Sequence, residues 1–532
     1  MRKTLTDLWL PFLIILLTGL WTILFFPILP IDETRYLTVA WEMLNAHSFA
    51  VPLLNGAPYA HKPPMLFWLV QAAWKLTGVS DAAPRLVSIT AGLASVFLTY
   101  RISLRLRPAN RAAAALSALL LSSTLLWMLW SCAIMFDILL TAWVLLAILG
   151  ILRMSRSENK GWLLLAGGIA GGLLTKGPVV LIYIFPLTLL ARFWVPERSR
   201  GWPLKTATAI ITGIGLALLW AVPAAVQGGE EYGKAIFWGQ SAGRIHSSFA
   251  HQRPLLWYLP LLPAIFLPWI FFRPGFAGLN LKDRNNGNRM LLVWVAVPLL
   301  ILSLISGKQL HYLIPLLPAG ILWMGQNISR FNKPSARASV RLIGSIYLLI
   351  GLTALILPMI RMGADLGKID PGTIRFAAAG FTVAGGILLA LPALSAPRSV
   401  RAVALCTLLA LLTALTNARH TFLESYSIKP FAEQIRAQQD RGHPVAHVGK
   451  YHGQYQFLGR LVQPVMELSH ETGSVEDFII EHPDGILISY SVLGLPPPGG
   501  ETLYVQKYRG KEVVLWRPGP AWEKTRNENT AD

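Results

Sequence analysis

The acidic residues best placed to do chemistry lie in one short run, Ile31 to Tyr36, directly after the first long apolar stretch. Asp32 and Glu33 stand there at a membrane exit, where a lipid headgroup would be. These two carboxylates are therefore candidates for contact with a lipid headgroup. Arg35, one turn further on, can hold a carboxylate in place. The alternative is an ordinary helix start, with Asp32 as the cap and Glu33 favoured by the helix dipole.

Three lysines stand at breaks between apolar stretches. Lys62 follows His61 in a proline-fixed turn, Lys176 precedes a Gly-Pro break, and Lys308 lies at a similar junction shortly before Tyr312. Lys62 alone is explained by snorkelling of its ammonium to the headgroup layer, and neither Lys176 nor Lys308 alone indicates a function. Together they could form one binding site for an anionic headgroup beside the acidic first loop.

Two further places carry ionisable groups. Asp137 lies at the outer end of a predicted span, where an ionisable residue is costly and is read as functional by default, with a helix cap as the alternative. The loop 227–253 contributes Arg244, His246 and His251. The two histidines are five residues apart, which does not place them on one helical face, so alone they are a weak indication of a metal site.

The composition indicates what must position these residues. Of 532 residues, 54% are hydrophobic and 14% are charged, against about 25% charged in a soluble domain. This predicts a polytopic α-helical membrane protein. The net charge of +20 is explained in part by basic cytoplasmic loops, so it does not require nucleic acid as a partner. Two cysteines, Cys132 and Cys406, both in apolar stretches, exclude a disulfide framework and a cysteine metal cluster.

Apolar run lengths predict about thirteen spans, and the first is read as a retained helix rather than a cleaved signal peptide. Within the first outer loop, Glu33–Leu44 and Pro63–Leu76 have the pattern of helices lying in the membrane interface. The spans are predicted near 8–29, 85–106, 112–130, 134–152, 161–175, 178–194, 206–226, 254–272, 290–305, 310–326, 341–360, 375–393 and 400–418.

Every second loop is rich in Lys and Arg, which predicts a cytoplasmic N-terminus. The loops 31–84 and 227–253 and the tail after 419 then face outward, into the periplasm if the protein lies in a bacterial inner membrane. The expected domains are a transmembrane domain over 1–418 and a small periplasmic α/β domain over 419–532. In the tail we predict a helix over Pro430–Gln439, strands over Pro444–Val448 and Gly485–Ser489, and a closing hairpin over 501–507 and 512–517.

The order of these motifs resembles the lipid-carrier-dependent glycosyltransferases of the integral-membrane GT-C class, which include the protein mannosyltransferase-like superfamily. It is most similar to the bacterial lipid A aminoarabinose transferase family. The resemblance covers roughly residues 8 to 330. The residues that carry it are the run 32–36, the Lys62-Pro63 corner, Asp137, the junction 175–177, His251 with the segment 254–258, and the run 308–315.

The resemblance implies a role for each of these positions. It implies catalytic roles for Asp32 and Asp137 and a divalent metal, most simply zinc, at His61 and His251. The family usually has an acidic residue where His61 stands, although histidine is also a zinc ligand. The residues expected to bind substrate are Glu33, Arg35, Lys62, Lys176, Arg244, Lys308 and Tyr312.

The expected activity is transfer of a pentosyl or hexosyl group from an undecaprenyl-phosphate-type carrier to lipid A or another envelope acceptor. Inversion at the anomeric carbon is expected, because the motifs offer no clear covalent nucleophile. The main alternative is a flippase or transporter of anionic lipid-linked sugars. That class predicts charges near mid-membrane and repeat symmetry, and we find no internal repeat. A polysaccharide polymerase or ligase with the same carrier is a further alternative, and the tail could be a protein-binding module.

Overall fold

A computed structural model describes residues 2–195, 201–239, 252–277, 286–331, 336–360, 371–419, 423–469, 473–491 and 500–519. The chain divides into two compact units. We call Met1–Phe25 with Ala60–Thr421 the helical unit, and Phe26–Tyr59 with Phe422–Asp532 the sheet unit. This division differs from the expected boundary near residue 418, because part of the first loop groups with the tail.

The helices and strands give the order of elements along the chain. The helices are α1 Arg2–Phe25, α2 Asp32–Asn45, α3 Met65–Thr77, α4 Ala83–Leu106, α5 Arg111–Ser122, α6 Leu125–Trp130, α7 Phe136–Met154, α8 Gly161–Lys176, α9 Val179–Leu189, α10 Trp202–Gly228, α11 Glu230–Lys234, α12 Leu262–Ile265, α13 Asn286–Leu304, α14 Leu317–Arg330, α15 Arg337–Ile360, α16 Pro371–Ala390, α17 Ala396–Ala418, α18 Lys429–Gln439, α19 Gln456–Gly459 and α20 Ser474–Glu481. The strands are β1 Leu53–Leu54, β2 Ala57–Pro58, β3 Val445–Val448, β4 Met466–Leu468, β5 Ile486–Tyr490, β6 Gly500–Tyr508 and β7 Lys511–Pro518.

Seven helices in the described part of the chain are long and apolar enough to cross a bilayer: α1, α4, α7, α10, α13, α15 and α17. Shorter apolar helices include α5, α8, α9 and most of α16. The helical membrane fold is thus as predicted, whereas the count of thirteen spans is not confirmed.

Prolines account for the clearest difference from the predicted spans. The stretch 254–272 forms short helical turns, Leu259–Leu261, α12 and Trp269–Phe271, instead of one long helix. Pro260, Pro263 and Pro268 each lack an amide N–H and interrupt the helical hydrogen bonds. The predicted span 310–326 likewise starts as a 3₁₀ segment, Leu310–Leu316, before α14 begins. Apolar length alone therefore overestimated regular helix here.

Helices α7 and α8 form a closely packed antiparallel pair. A Cβ atom on Gly150 would lie 2.7 Å from the Gly161 carbonyl oxygen, and one on Gly168 would lie 2.6 Å from the Ala147 Cβ. Small residues let membrane helices approach this closely. Because the helices are antiparallel, the first turn of α7 and the last turn of α8 lie at the same end of the pair. This arrangement brings Asp137 and Lys176 together.

The sheet unit contains a five-stranded mixed sheet in the order β4-β3-β5-β7-β6. Strand β3 is parallel to β4 and to β5, and β7 is antiparallel to β5 and to β6. The predicted helix, the two strands and the closing hairpin of the tail are confirmed as α18, β3, β5 and β6–β7. Strand β4 and helices α19 and α20 were not predicted from the sequence.

Helix α2 from the first loop packs within the sheet unit. The Thr38 hydroxyl donates to the Gly453 carbonyl oxygen at 2.6 Å, and the Trp41 indole N–H donates to the Leu461 carbonyl oxygen at 2.8 Å. The Asn55 amide, in the turn between β1 and β2, donates to the Val465 carbonyl oxygen at 2.8 Å. The predicted helix is therefore present, and these contacts hold it against the tail.

Candidate functional site

A buried ion pair lies at the start of α7 in the helical unit. The Lys176 ammonium donates to Asp137 Oδ1 at 2.6 Å, and the two side chains are only 8% and 2% exposed. His311 Nε2 lies 4.0 Å from the other carboxylate oxygen, Oδ2. Burial strengthens such interactions because little water screens them. Asp137, which had no predicted partner, is thus paired with another predicted site residue.

Aromatic rings surround this pair. The Lys176 Nζ atom lies 4.7 Å from the centroid of the Tyr312 ring, within the range of a cation–π contact. The His311 and Tyr312 rings pack edge to face with centroids 4.9 Å apart. The Tyr183 hydroxyl donates to the Tyr312 carbonyl oxygen at 2.9 Å, which ties the 3₁₀ segment to α9. The ammonium is therefore held at a fixed position by a carboxylate on one side and a ring on the other.

Lys62 lies beside the same cluster. Its ammonium is 5.7 Å from the centroid of the Phe136 ring, the residue that precedes Asp137, and its charge acts on the Asp137 carboxylate. The structure thus brings together four predicted residues, Lys62, Asp137, Lys176 and Tyr312. His311 joins them. His311 was not predicted as a site residue from the sequence, although it lies within the run 308–315 that carries the family resemblance.

Arg85 holds the turn that leads into α7. It is 3% exposed, and its guanidinium donates to the Cys132 carbonyl oxygen at 3.0 Å. A Cβ atom on Gly92, two turns along α4, would lie 2.8 Å from the Ser131 Cβ. Helix α4 therefore fixes the path of the chain just before Asp137. Sequence reasoning missed Arg85, and the available signal was a lone arginine near the start of an apolar helix.

At the start of α2, in the sheet unit, Asp32 and Glu33 have different roles. Ile31, not Asp32, is the N-cap residue, and α2 has no side-chain cap hydrogen bond. The Asp32 side chain is 51% exposed and contacts the Arg35 guanidinium. The Glu33 carboxylate is buried and accepts a hydrogen bond from the Leu29 amide at 2.8 Å. The geometry thus favours Asp32 over Glu33 for contact with a reactant.

Arg35 is framed by two tyrosines. Its guanidinium carbon lies 5.5 Å from the centroid of the Tyr36 ring. The Arg35 charge also interacts electrostatically with Tyr59. Burial raises the pKa of Tyr36 well above its ordinary value, so this phenol stays neutral at physiological pH. The Arg35 guanidinium is thus oriented by neutral tyrosine rings and by the Asp32 carboxylate.

Lys308 has contacts of a different kind. It is 3% exposed, and its ammonium donates to the carbonyl oxygens of Ile305 at 2.6 Å and Arg253 at 3.0 Å. These bonds join two loop segments, so they give Lys308 a structural role, and its role in substrate binding stays a prediction. Arg244 and His251 lie outside the described residues.

The described residues do not form a metal site. Among them, no three His, Cys, Asp or Glu side chains are grouped as ligands of one ion would be. His61 is exposed, and its predicted partner His251 is outside the described ranges. Structural zinc takes four ligands and catalytic zinc at least three, so the described residues by themselves do not complete a zinc site at His61.

Comparisons with known proteins agree with this fold and sequence pattern. Residues 61–226, which include Lys62, Asp137 and Lys176, match the family model described as dolichyl-phosphate-mannose-protein mannosyltransferase. The crystal structure of ArnT from Cupriavidus metallidurans bound to undecaprenyl phosphate superposes with a TM-score of 0.74 at 18% identity, covering 97% of this chain and 98% of that one. The protein therefore has the GT-C membrane fold.

The sequence relatives of this chain include aminoarabinose transferases. The undecaprenyl phosphate-alpha-4-amino-4-deoxy-L-arabinose arabinosyl transferase of Edwardsiella ictaluri is 28% identical over 369 residues, which is 65% of each chain. The enzyme of the same name from Erwinia tasmaniensis is 30% identical over 294 residues, 53% of this chain and 52% of that one. The chain is thus similar to these transferases, and the alignments span between half and two thirds of their length.

Proposed function

We propose that this protein is a lipid-carrier-dependent glycosyltransferase. It takes a sugar from an undecaprenyl-phosphate-type donor and transfers it to lipid A or a related envelope acceptor at the periplasmic face of a bacterial inner membrane. The observation that carries the proposal is the buried cluster of Asp137, Lys176 and Tyr312 beside Lys62. Of these residues, Lys62, Asp137 and Lys176 lie in the stretch 61–226 that matches the mannosyltransferase family model. The 4-amino-4-deoxy-arabinosyl group is the proposed sugar, since the similar enzymes are named for it.

In this proposal, the cations of the helical unit stabilise the departing lipid phosphate. Negative charge grows on the phosphate oxygen as the bond to the anomeric carbon breaks, and fixed positive groups lower the energy of that state. Lys62 supplies one ammonium. Lys176 supplies a second, which Asp137 and the Tyr312 ring hold in one place, so little reorganisation is needed during the reaction.

Asp32 is the proposed acceptor-side residue. If the acceptor is a hydroxyl, the Asp32 carboxylate removes its proton as the oxygen attacks the anomeric carbon, and the sugar is transferred with inversion. If the acceptor is a phosphate, no base is needed and Asp32 orients the reacting groups. The exposure of Asp32 and its contact with Arg35 support either role.

Mass spectrometry of lipid A tests the proposal. Lipid A and other envelope glycans are compared from cells with the gene, without it, and complemented with Lys62→Gln or with Lys75→Gln. Lys75 is an exposed lysine at the end of α3, so it is the matched control. We expect a sugar-sized mass increase that requires the gene, is lost with Lys62→Gln and persists with Lys75→Gln. Identical glycan spectra with and without the gene would reject the proposal.

The proposed orientation makes a separate prediction. Because alternate loops are basic, a reporter fused before the N-terminus should be active in the cytoplasm, and one fused after Asp532 in the periplasm. Paired fusions active in opposite compartments are the expected result. If both fusions report the same compartment, the N-in, C-out orientation is wrong.

The predicted metal is tested by elemental analysis. If His61 and His251 share a zinc ion, the purified wild-type protein should contain zinc that is lost in the double variant His61→Ala/His251→Ala. His47 lies two residues beyond the end of α2, and His47→Ala is the control, which should keep the wild-type zinc content. Equal zinc in the wild type and the double variant would reject the predicted metal site.

A further inference from the structure

The β3–α19 loop of the sheet unit lies where many α/β proteins bind ligands. Strands β3 and β5 are parallel neighbours, so their carboxyl ends lie at the same edge of the sheet. After β3 the chain turns to β4 on one side, and after β5 it continues to β6 and β7 on the other. Such a reversal at the carboxyl ends of strands is a common place for a ligand. The loop that leaves β3 here carries Lys450 and His452.

Helix α2 lies against this loop. Besides donating to the Gly453 carbonyl oxygen, the Thr38 hydroxyl accepts a hydrogen bond from the Phe457 amide at 3.3 Å. A Cβ atom on Gly453, whose φ is +75°, would lie 2.6 Å from the Leu54 side chain. Arg35 is one helical turn before Thr38, so it lies on the same side of α2. The close approach at Gly453 therefore brings Arg35 to the residue before it, His452.

Arg509 lies at the same edge of the sheet, because it is in the turn before β7 and Val513 near the start of β7 pairs with Tyr490 at the end of β5. The charges of Arg35, Lys450 and Arg509 all act on the His452 imidazole, and the Glu467 carboxylate opposes them. Burial, followed by the Arg35 charge, lowers the pKa of His452 below its ordinary value, so the imidazole is neutral at physiological pH.

The carboxylates nearby have partners already. Glu467 accepts a hydrogen bond from the Tyr451 amide at 3.1 Å, and Asp32 contacts one terminal nitrogen of Arg35. Within the described part of the chain, the buried Arg35 Nε has no hydrogen-bond partner. Lys450 and Arg509 are exposed. The cluster therefore has positive charge and donor capacity for a further anion.

We propose that Arg35, Lys450, His452 and Arg509 bind the phosphate of a lipid acceptor and place that acceptor next to Asp32. This inference rests on the proposed transferase function, for which it names the acceptor-binding residues. Guanidinium and ammonium groups bind phosphate through charge-assisted hydrogen bonds. The neutral His452 ring can donate one hydrogen bond more. The sheet unit would thus recognise the acceptor by its phosphate.

Binding of defined lipids to the full-length protein in nanodiscs tests this inference. The probes are phosphorylated lipid A, dephosphorylated lipid A, phosphatidylglycerol and inorganic phosphate. The test variant is Lys450→Gln/Arg509→Gln. The control is Arg436→Gln/Arg517→Gln, which removes two exposed positive charges elsewhere in the same unit. Thermal unfolding of each variant checks that it is folded.

We expect the wild type and the control to prefer phosphorylated over dephosphorylated lipid A. The test variant should lose about tenfold or more of its affinity for the phosphorylated form, since hydrogen bonds to charged groups are the stronger kind. In transfer assays the same variant should show a raised KM for phosphorylated lipid A and an unchanged kcat.

Two results would overturn the inference. One is wild-type affinity for phosphorylated lipid A in the folded test variant. The other is equally strong competition by phosphatidylglycerol or inorganic phosphate, which would mean that the cluster binds any anion and does not select the acceptor. Because binding is measured without sugar transfer, failure of the transferase proposal would show separately, as an absence of product with every variant.

Discussion

Replacing Asp32 with Asn should reduce sugar transfer by a factor of roughly 100 or more, as expected for loss of a general base. Asn keeps the size of the side chain and can still accept a hydrogen bond from Arg35, so α2 should remain intact. The measurement is the rate of transfer from a labelled lipid-linked donor by purified protein, with carrier-lipid binding determined in parallel. Binding of the carrier should be unchanged.

The control for this variant is Asp440→Asn, which neutralises an exposed carboxylate of the same unit and should transfer normally. The structure sharpens the comparison, because Ile31 and not Asp32 is the N-cap residue of α2. A loss of activity could therefore not be ascribed to a lost helix cap. Near-normal transfer by a well-folded Asp32→Asn protein would reject the catalytic assignment.

Breaking the ion pair between Lys176 and Asp137 should affect both stability and activity. Lys176→Met removes the cation that is hydrogen-bonded to the buried Asp137 carboxylate, and breaking a buried pair from one side typically costs about 3–5 kcal/mol of unfolding free energy. Transfer should also be lost, because the ammonium is proposed to stabilise the departing phosphate. Thermal unfolding in detergent and the transfer assay measure the two effects separately.

A second variant separates the two roles of Lys176. Asp137→Asn/Lys176→Gln carries no buried charge at these positions, so it should unfold closer to the wild-type temperature than Lys176→Met does, while remaining inactive. Lys75→Met, at an exposed position, should change neither property. If the neutral double variant transfers sugar at the wild-type rate, the pair is only structural and the proposed role of Lys176 is wrong.

The sequence predicted the local elements of this protein better than the contacts among them. Apolar periodicity gave α2 within a residue or two at each end, since a helix depends on neighbouring residues. The pairing of Asp137 with Lys176 depends on how α7 packs against α8, so no local pattern could show it. The lysines predicted to share one headgroup site also differ, because Lys308 donates to backbone carbonyls whereas Lys176 donates to a carboxylate.

The hardest feature to predict was which segments of the chain belong to each of the two units. Residues 31–84 read as one interfacial loop of the membrane domain, because apolar helices beside a span usually lie in the interface. The hydrogen bond from Thr38 to Gly453 joins residues 415 positions apart, and no repeat or charge pattern in the sequence links them. The resemblance, which covers roughly residues 8 to 330, gave no sign that α2 packs against the tail.

This long-range contact has a consequence for biosynthesis. A ribosome adds roughly 5–20 residues per second, so α2 is made about 20–80 seconds before the loop that contains Gly453. During that interval the helix that carries Asp32 lacks its hydrogen-bond partners in the tail. The nascent chain would therefore complete its proposed acceptor-side residues only after the turn between β6 and β7, which carries Arg509, has been made. In this way the fold would keep the proposed transferase inactive until its tail has been made.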